Sequence, residues 1–94
     1  MATKIIRALI SGRVQGVWYR GWTVQEAQKA DLSGWVRNHA NGNVEALFAG
    51  LEESVDAMIE ACRQGPPSAN VTDVVMEQYE GPLIPGFKQL PTVG

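Results

Sequence analysis

The stretch Ile5-Ile6-Arg7-Ala8-Leu9-Ile10-Ser11-Gly12-Arg13-Val14-Gln15-Gly16-Val17-Trp18-Tyr19-Arg20 passes from a β-branched apolar run, through a loop with two glycines, into a helical pattern. A strand is expected over Lys4 to Ser11, with Ile6, Ala8 and Ile10 on one face and Ile5, Arg7 and Leu9 on a part-covered face. A helix is expected over Arg20 to Ala30, with Tyr19, Thr23, Ala27 and Ala30 along one side. Met1 to Thr3 reads as a loose start. A strand, a glycine loop and a helix N-terminus in that order let several backbone N–H groups converge, and such places bind anions. Gly12 and Gly16 can take positive φ and let the backbone approach a ligand, while Arg20 offers a planar fork matched to two phosphate oxygens. The guest this implies is a phosphoryl group. The same residues also suit a tight strand-to-helix connection that binds nothing.

Downstream, Asp31 is placed to stop the helix, because Asp tolerates the left-handed conformation. Leu32 to Asn38 reads as a second strand, and Asn41-Gly42 as the turn of a hairpin. Its returning strand, Val44 to Ala49, alternates Val44, Ala46 and Phe48 against Glu45 and Leu47, with Gly50 expected to end it. Leu51, Val55, Met58, Ile59 and Cys62 share a helical face, with Glu52, Glu53 and Asp56 at the start and Arg63 near the end, as the helix dipole favours. Gln64 to Ser68 stops that helix. Val71 to Tyr79 is a fourth strand carrying Asp73 and Glu77 on one face, and Pro82, Pro85 and Pro91 confine any strand near Phe87 to Leu90 to a short edge.

The order is βαββαβ plus a tail. It predicts a ferredoxin-like α+β sandwich over residues 1–94 as one domain, two helices on one face of a mainly antiparallel sheet of four or five strands. In the usual 4-1-3-2 strand order the first and second strands run parallel on either side of the third, about 10 Å apart. Their C-terminal ends share an edge, which puts Asn38 beside the glycine loop and within reach of a group held by Arg20.

The 94 residues are 45% hydrophobic and carry 8 basic against 10 acidic side chains, enough for one modest core and too acidic for a general nucleic-acid binder. The first 47 residues carry a net +3, so positive potential can gather near the loop inside an acidic protein. One cysteine and no charged-then-apolar leader make the reducing cytoplasm the expected compartment, and no apolar run reaches membrane-spanning length. Asn70-Val71-Thr72 matches a glycosylation sequon, read as coincidence without a secretory signal.

With His39 the only histidine, Cys62 the only cysteine and no carboxylate cluster near the loop, no metal or other cofactor is expected. His39 reads as a polar turn residue, Cys62 as core, and Trp18 and Trp22 as aromatic packing over the loop and sheet edge. Ser11 has no base placed to activate it, and the loop lacks the Gly-Lys-Ser/Thr ending of a nucleotide-binding P-loop. What remains is an anion cradle, one arginine and one neighbouring amide. An amide is no general base at neutral pH but can hold a water, and arginine can offset charge on phosphoryl oxygens. That set suits an acyl phosphate, whose leaving carboxylate needs little acid assistance.

Two spaced motifs carry a resemblance. Gly12-Arg13-Val14-Gln15-Gly16-Val17-Trp18-Tyr19-Arg20 is similar to the signature of the acylphosphatases, and Gly34-Trp35-Val36-Arg37-Asn38-His39-Ala40-Asn41-Gly42-Asn43-Val44 with a later Gly50 resembles their second signature. Tyr19 stands where phenylalanine is commoner, Asp31 where glycine is usual, and Pro91 departs from a regular last strand. The resemblance implies hydrolysis of a carboxylic–phosphoric anhydride to a carboxylate and inorganic phosphate, without a metal or a phosphoenzyme. It implies that Arg20 and loop N–H groups contributed by Val14, Gln15, Gly16, Val17, Trp18 and Tyr19 bind the phosphoryl group, and that Asn38 orients the attacking water. The expected partners are the acyl phosphate and phosphate alone, with no nucleic acid or membrane, and the expected state is a monomer. The alternative is a non-enzymatic anion-binding or interaction module on the same fold. An RNA-binding sheet is disfavoured because Asn43 to Ala49 holds one aromatic and no basic residue.

Overall fold

The computed structural model describes residues 2–94. Its elements are β1 (Thr3–Arg13), α1 (Tyr19–Lys29), β2 (Ser33–Asn38), β3 (Val44–Leu51), α2 (Glu52–Gln64), β4 (Asn70–Gln78) and β5 (Phe87–Gln89). The sheet order is β4-β1-β3-β2-β5. β1 pairs antiparallel with β3 and β4, β2 antiparallel with β3, and β5 adds in parallel beside β2. This is the expected ferredoxin-like sandwich with the optional fifth strand present.

Period-two patterning decides which side chains meet the helices. Ile6, Ala8 and Ile10 of β1, Val36 of β2 and Val44, Ala46 and Phe48 of β3 are buried with Tyr19 and Ala27 of α1 and Val55, Met58, Ile59 and Cys62 of α2. Phe48 stacks on Phe87 of β5, ring centroids 5.5 Å apart, which anchors the tail to the core. The Tyr19 hydroxyl donates to the Cys62 carbonyl at 2.6 Å and ties the two helices together. Burial also pushes the Cys62 thiol up to about 12, in keeping with a core cysteine.

Several boundaries move for physical reasons. Met1 lies outside the described residues, but Thr3 is already paired with Leu51, so the loose start is shorter than expected. β1 runs on past Ser11 because a bulge at Ser11/Gly12 restores its pairing to β4, and Gly12 alone fits there: φ is 118° and a Cβ would lie 2.3 Å from the Asn70 carbonyl. Gly50 does not end β3, which continues to Leu51. Leu51 is therefore a strand residue, 40% exposed, and not part of the apolar face of α2. At the end of α1, Asp31 takes φ 57°, and the N–H groups of Asp31 and Leu32 donate to the carbonyls of Gln28 and Ala27, the double bond of a Schellman cap.

The helix-free face is covered differently. The chain leaving β4 at one edge must cross to β5 near the other, and Pro82, Leu83 and Ile84 lie over Trp35 and Leu47, with Gly34 N–H bonded to the Gly86 carbonyl. On the same face Glu45 is 2% exposed yet charged. Its carboxylate accepts from Arg37 Nε at 2.8 Å and from Arg7 Nε, and its Oε1 lies 2.7 Å from His39 Nε2. Burial opposes its ionisation most strongly, but the hydrogen bonds from His39, Arg37 and Arg7 outweigh burial and hold the carboxyl at about 2, against 4.5 ordinarily. A depressed folded-state value means stability that is full above the unfolded value and lost as the carboxyl protonates. Acid titration should therefore remove on the order of 3 kcal/mol between about pH 4.5 and 2 through this group. In Glu45→Gln, melting measured against pH should show a lower plateau at neutral pH and a flatter acid limb over that window. An acid limb unchanged by the substitution would contradict the assignment.

Candidate active site

β1 and β2 each pair antiparallel with β3 and so run parallel to each other, which brings their C-terminal ends out at one edge of the sheet. There a pocket of about 150 Å³ is lined by Val14, Gln15, Gly16, Trp18, Tyr19 and Arg20 of the loop and helix start, together with Asn38 from the end of β2. The sequence-derived set is thus gathered into one place, with one exception. Val17 does not line the pocket; its side chain packs against the core, because an apolar residue there closes the gap under the loop.

The loop turns through Gly16 at φ 74° and Trp18 at φ 65° before α1 begins. Among the described residues, the N–H groups of Gly16, Val17, Trp18, Tyr19 and Arg20 donate no hydrogen bond within the protein. These are the orphan donors of a helix N-terminus extended by a turn of loop, and they concentrate positive potential. Arg20 likewise forms no ion pair or hydrogen bond among the described residues, whereas Arg7, Arg37 and Lys4 are each held by a carboxylate. Facing them, Asn38 is 9% exposed and its Oδ1 is buried without a partner. A buried acceptor left unbonded is costly, so this one is kept for something outside the protein.

Side chains fix the two halves of the site to each other. Gln15 Nε2 donates to the His39 carbonyl at 2.7 Å and to the Asn43 carbonyl at 2.9 Å, stitching the loop to the β2–β3 hairpin. The hairpin is closed by His39 N–H to the Asn43 carbonyl at 2.8 Å and by Asn43 N–H to Asn41 Oδ1 at 3.0 Å. His39, expected as a polar turn residue, is also a strut: its ring reaches Glu45 on the helix-free face. The tail then locks the end of β2, since Val93 N–H donates to the Asn38 carbonyl at 3.0 Å and Leu90 N–H to the Val36 carbonyl at 2.8 Å. Pro91, which has no N–H to offer, falls between these two contacts.

Two pocket residues were not read from the sequence. Gly21 lies in the first turn of α1. Gln89 comes from β5, where Phe87 and Gln89 share a face; only that alternation in a three-residue strand could have signalled it.

An anion cradle at the shared end of parallel strands in a ferredoxin-like sandwich defines a small phosphoryl-handling α+β protein, and solved acylphosphatases have this architecture. That of Coxiella burnetii superposes with a TM-score of 0.89 at 32% identity, covering 94% of this chain and 93% of that one. That of Bacillus subtilis gives 0.87 at 33% identity, covering 95% and 99%. In sequence, the acylphosphatase family model matches residues 6–88, and an acylphosphatase of Rhodospirillum rubrum is 56% identical over 93 residues, 99% of this chain and 100% of that protein. The chain belongs to the acylphosphatase family, enzymes that hydrolyse acyl phosphates, and the reading as a non-enzymatic module is not favoured.

Gln15→Leu removes both stitches, but the two carbonyls keep their hairpin partners, so stability should fall by only about 1 kcal/mol. Turnover per folded molecule should fall on the order of tenfold or more as cradle and hairpin drift apart. A loss of stability with unchanged turnover would confine Gln15 to a structural part.

Proposed function

We propose that this enzyme binds the phosphoryl group of an acyl phosphate between Arg20 and the loop N–H groups of Val14 to Tyr19, and that Asn38 orients the attacking water. The observation that carries the reading is the buried, unpartnered Oδ1 of Asn38 in the wall of the same pocket as an unpaired arginine. An oxygen acceptor cannot bind a phosphate oxygen, but it can accept an O–H from water and turn a lone pair toward phosphorus. The water oxygen forms a bond to phosphorus as the bond from phosphorus to the anhydride oxygen breaks. The electron pair leaves on the carboxylate, and the water proton passes to a phosphate oxygen. Arg20 and the N–H groups offset charge on the equatorial oxygens throughout.

The step is metal-free in this reading, because no lining residue of the pocket is a carboxylate, histidine or cysteine. No phosphoenzyme is needed, since no nucleophilic side chain other than the Tyr19 hydroxyl is present in the lining, and that hydroxyl is buried and bonded to Cys62. We further propose a cytoplasmic monomer with no nucleic-acid partner. Its single cysteine is buried. Arg7 and Arg37, the two arginines of the helix-free face, are committed to Glu45, and pairing two β4 edges about Val75 would set Asp73 against Glu77.

The test is acyl phosphate hydrolysis in the presence of excess chelator, with two substitutions that separate binding from chemistry. Arg20→Ala should lose phosphate affinity and turnover together in a folded protein, and Arg20→Lys should rescue poorly because a point charge cannot reproduce the fork. Near-native activity in Arg20→Lys counts against a forked contact. Asn38→Ala should keep phosphate affinity within a few fold and lose on the order of 10²-fold in turnover, as expected when a positioned reactant is released. Unchanged turnover per folded molecule would remove Asn38 from the mechanism.

A further inference from the structure

Trp22 packs against the core and against Tyr19, ring centroids 5.3 Å apart, as both tryptophans were expected to do. Trp18 does not. It is 59% exposed, although it is among the largest side chains in the protein and borders the pocket. Its backbone is left-handed, with φ 65° and ψ 24°, a conformation that is strained for a bulky residue. Nothing in the core is gained in return. The position of the ring is nevertheless defined: a Cβ at Gly21 would stand 2.1 Å from Trp18 Nε1 and 2.5 Å from Cε2, so the pyrrole edge of the indole rests on the bare backbone of Gly21. A strained backbone, a residue with no side chain beneath it and an exposed ring thus converge at the rim of one pocket.

The pocket is matched to a phosphoryl group, and its enclosed wall is polar. The acyl group of a bound substrate must therefore leave through the open side, where Trp18 and the exposed Gln89 of β5 stand. Trp18 supplies a flat apolar surface and Gln89 an amide that can donate to a carbonyl oxygen. We propose that Trp18, seated on Gly21, is the acyl-side contact of the site and selects acyl phosphates with planar, conjugated acyl groups over short aliphatic ones. This rests on the phosphate-cradle reading of the previous subsection and adds the other half of the substrate to it.

Phenacylphosphonate and acetonylphosphonate carry a methylene in place of the bridging oxygen of benzoyl and acetyl phosphate and cannot be hydrolysed, so competitive inhibition by each reads affinity alone. The wild-type chain should bind the phenacyl compound more tightly. That preference ratio should fall about 5- to 10-fold in Trp18→Gly, where glycine accepts the left-handed backbone and the fold is retained, and should largely survive in Trp18→Phe. Gly21→Ala should lower the same ratio although residue 18 is still tryptophan, because the new methyl displaces the indole. A ratio unchanged in Trp18→Gly, or both analogues and inorganic phosphate weakening in parallel, overturns the acyl contact and leaves the cradle standing. If neither analogue nor phosphate competes in the wild type, the cradle itself falls and this contact with it.

Discussion

Glu45 is the constraint on which the site depends. A carboxylate with 2% exposure survives as an ion only if it is surrounded by donors, and its donors come from Arg7 on β1, Arg37 on β2 and His39 at the start of the hairpin. The group therefore joins the two strands that carry the chemistry to the strand between them. Arg37 stands directly opposite Glu45 in the β2–β3 register and lies 4.6 Å from the Trp35 ring centroid, so its guanidinium is held on both sides. A slip of one residue between β2 and β3 would turn Glu45 into the apolar core and Val44 out of it. The buried ion thus specifies register, and register decides whether Asn38 meets the loop.

From that fixed frame the site is assembled by withholding bonds. The Gln15 side chain uses its amide nitrogen to join loop and hairpin, so its two donors are spent inside the protein. The loop N–H groups, Arg20 and Asn38 Oδ1 are left without partners, and each would be a destabilising defect elsewhere. They converge on one pocket, where the phosphoryl group and water of the proposed reading would supply the missing acceptors and donor. Local sacrifice of stability in the site is compatible with a core that is well packed around Phe48, Tyr19 and Ile10.

The sequence carried the fold wherever one interaction type dominated. Alternation in Ile6, Ala8 and Ile10 and helical spacing in Val55, Met58, Ile59 and Cys62 each reflect burial against one face, and Asp31 announced a left-handed cap that the structure contains. Alternation set Glu45 and Leu47 on the face opposite Val44, Ala46 and Phe48 but did not show that this face is covered too, Leu47 beside the crossing tail and Glu45 among its three donors. That covering is long-range and leaves no local period. The same holds for Gln89, brought to the pocket by a three-residue parallel strand, and for Val17, whose side chain direction depends on how the loop turns. That Val14 to Gly16, Trp18 to Arg20 and Asn38 would lie together could be read from strand order, because β1 and β2 bring their C-terminal ends to a common edge.

The excess positive charge of the first 47 residues does not act as a broad field. Lys4 is paired with Asp56, Lys29 with Glu26, Arg7 with Glu45 and Glu77, and Arg37 with Glu45. Most of that charge is therefore neutralised within a few ångströms, and interactions beyond about 8 Å are screened at physiological ionic strength. Arg13 and Arg20 form no ion pair among the described residues, and Arg20 stands at the helix start beside the free N–H groups. Of these two, Arg20 brings its charge to the pocket of about 150 Å³, in a protein of net charge −2. The charge pairing that stabilises the sheet in this way uses up the strand arginines and leaves the one at the helix start uncommitted.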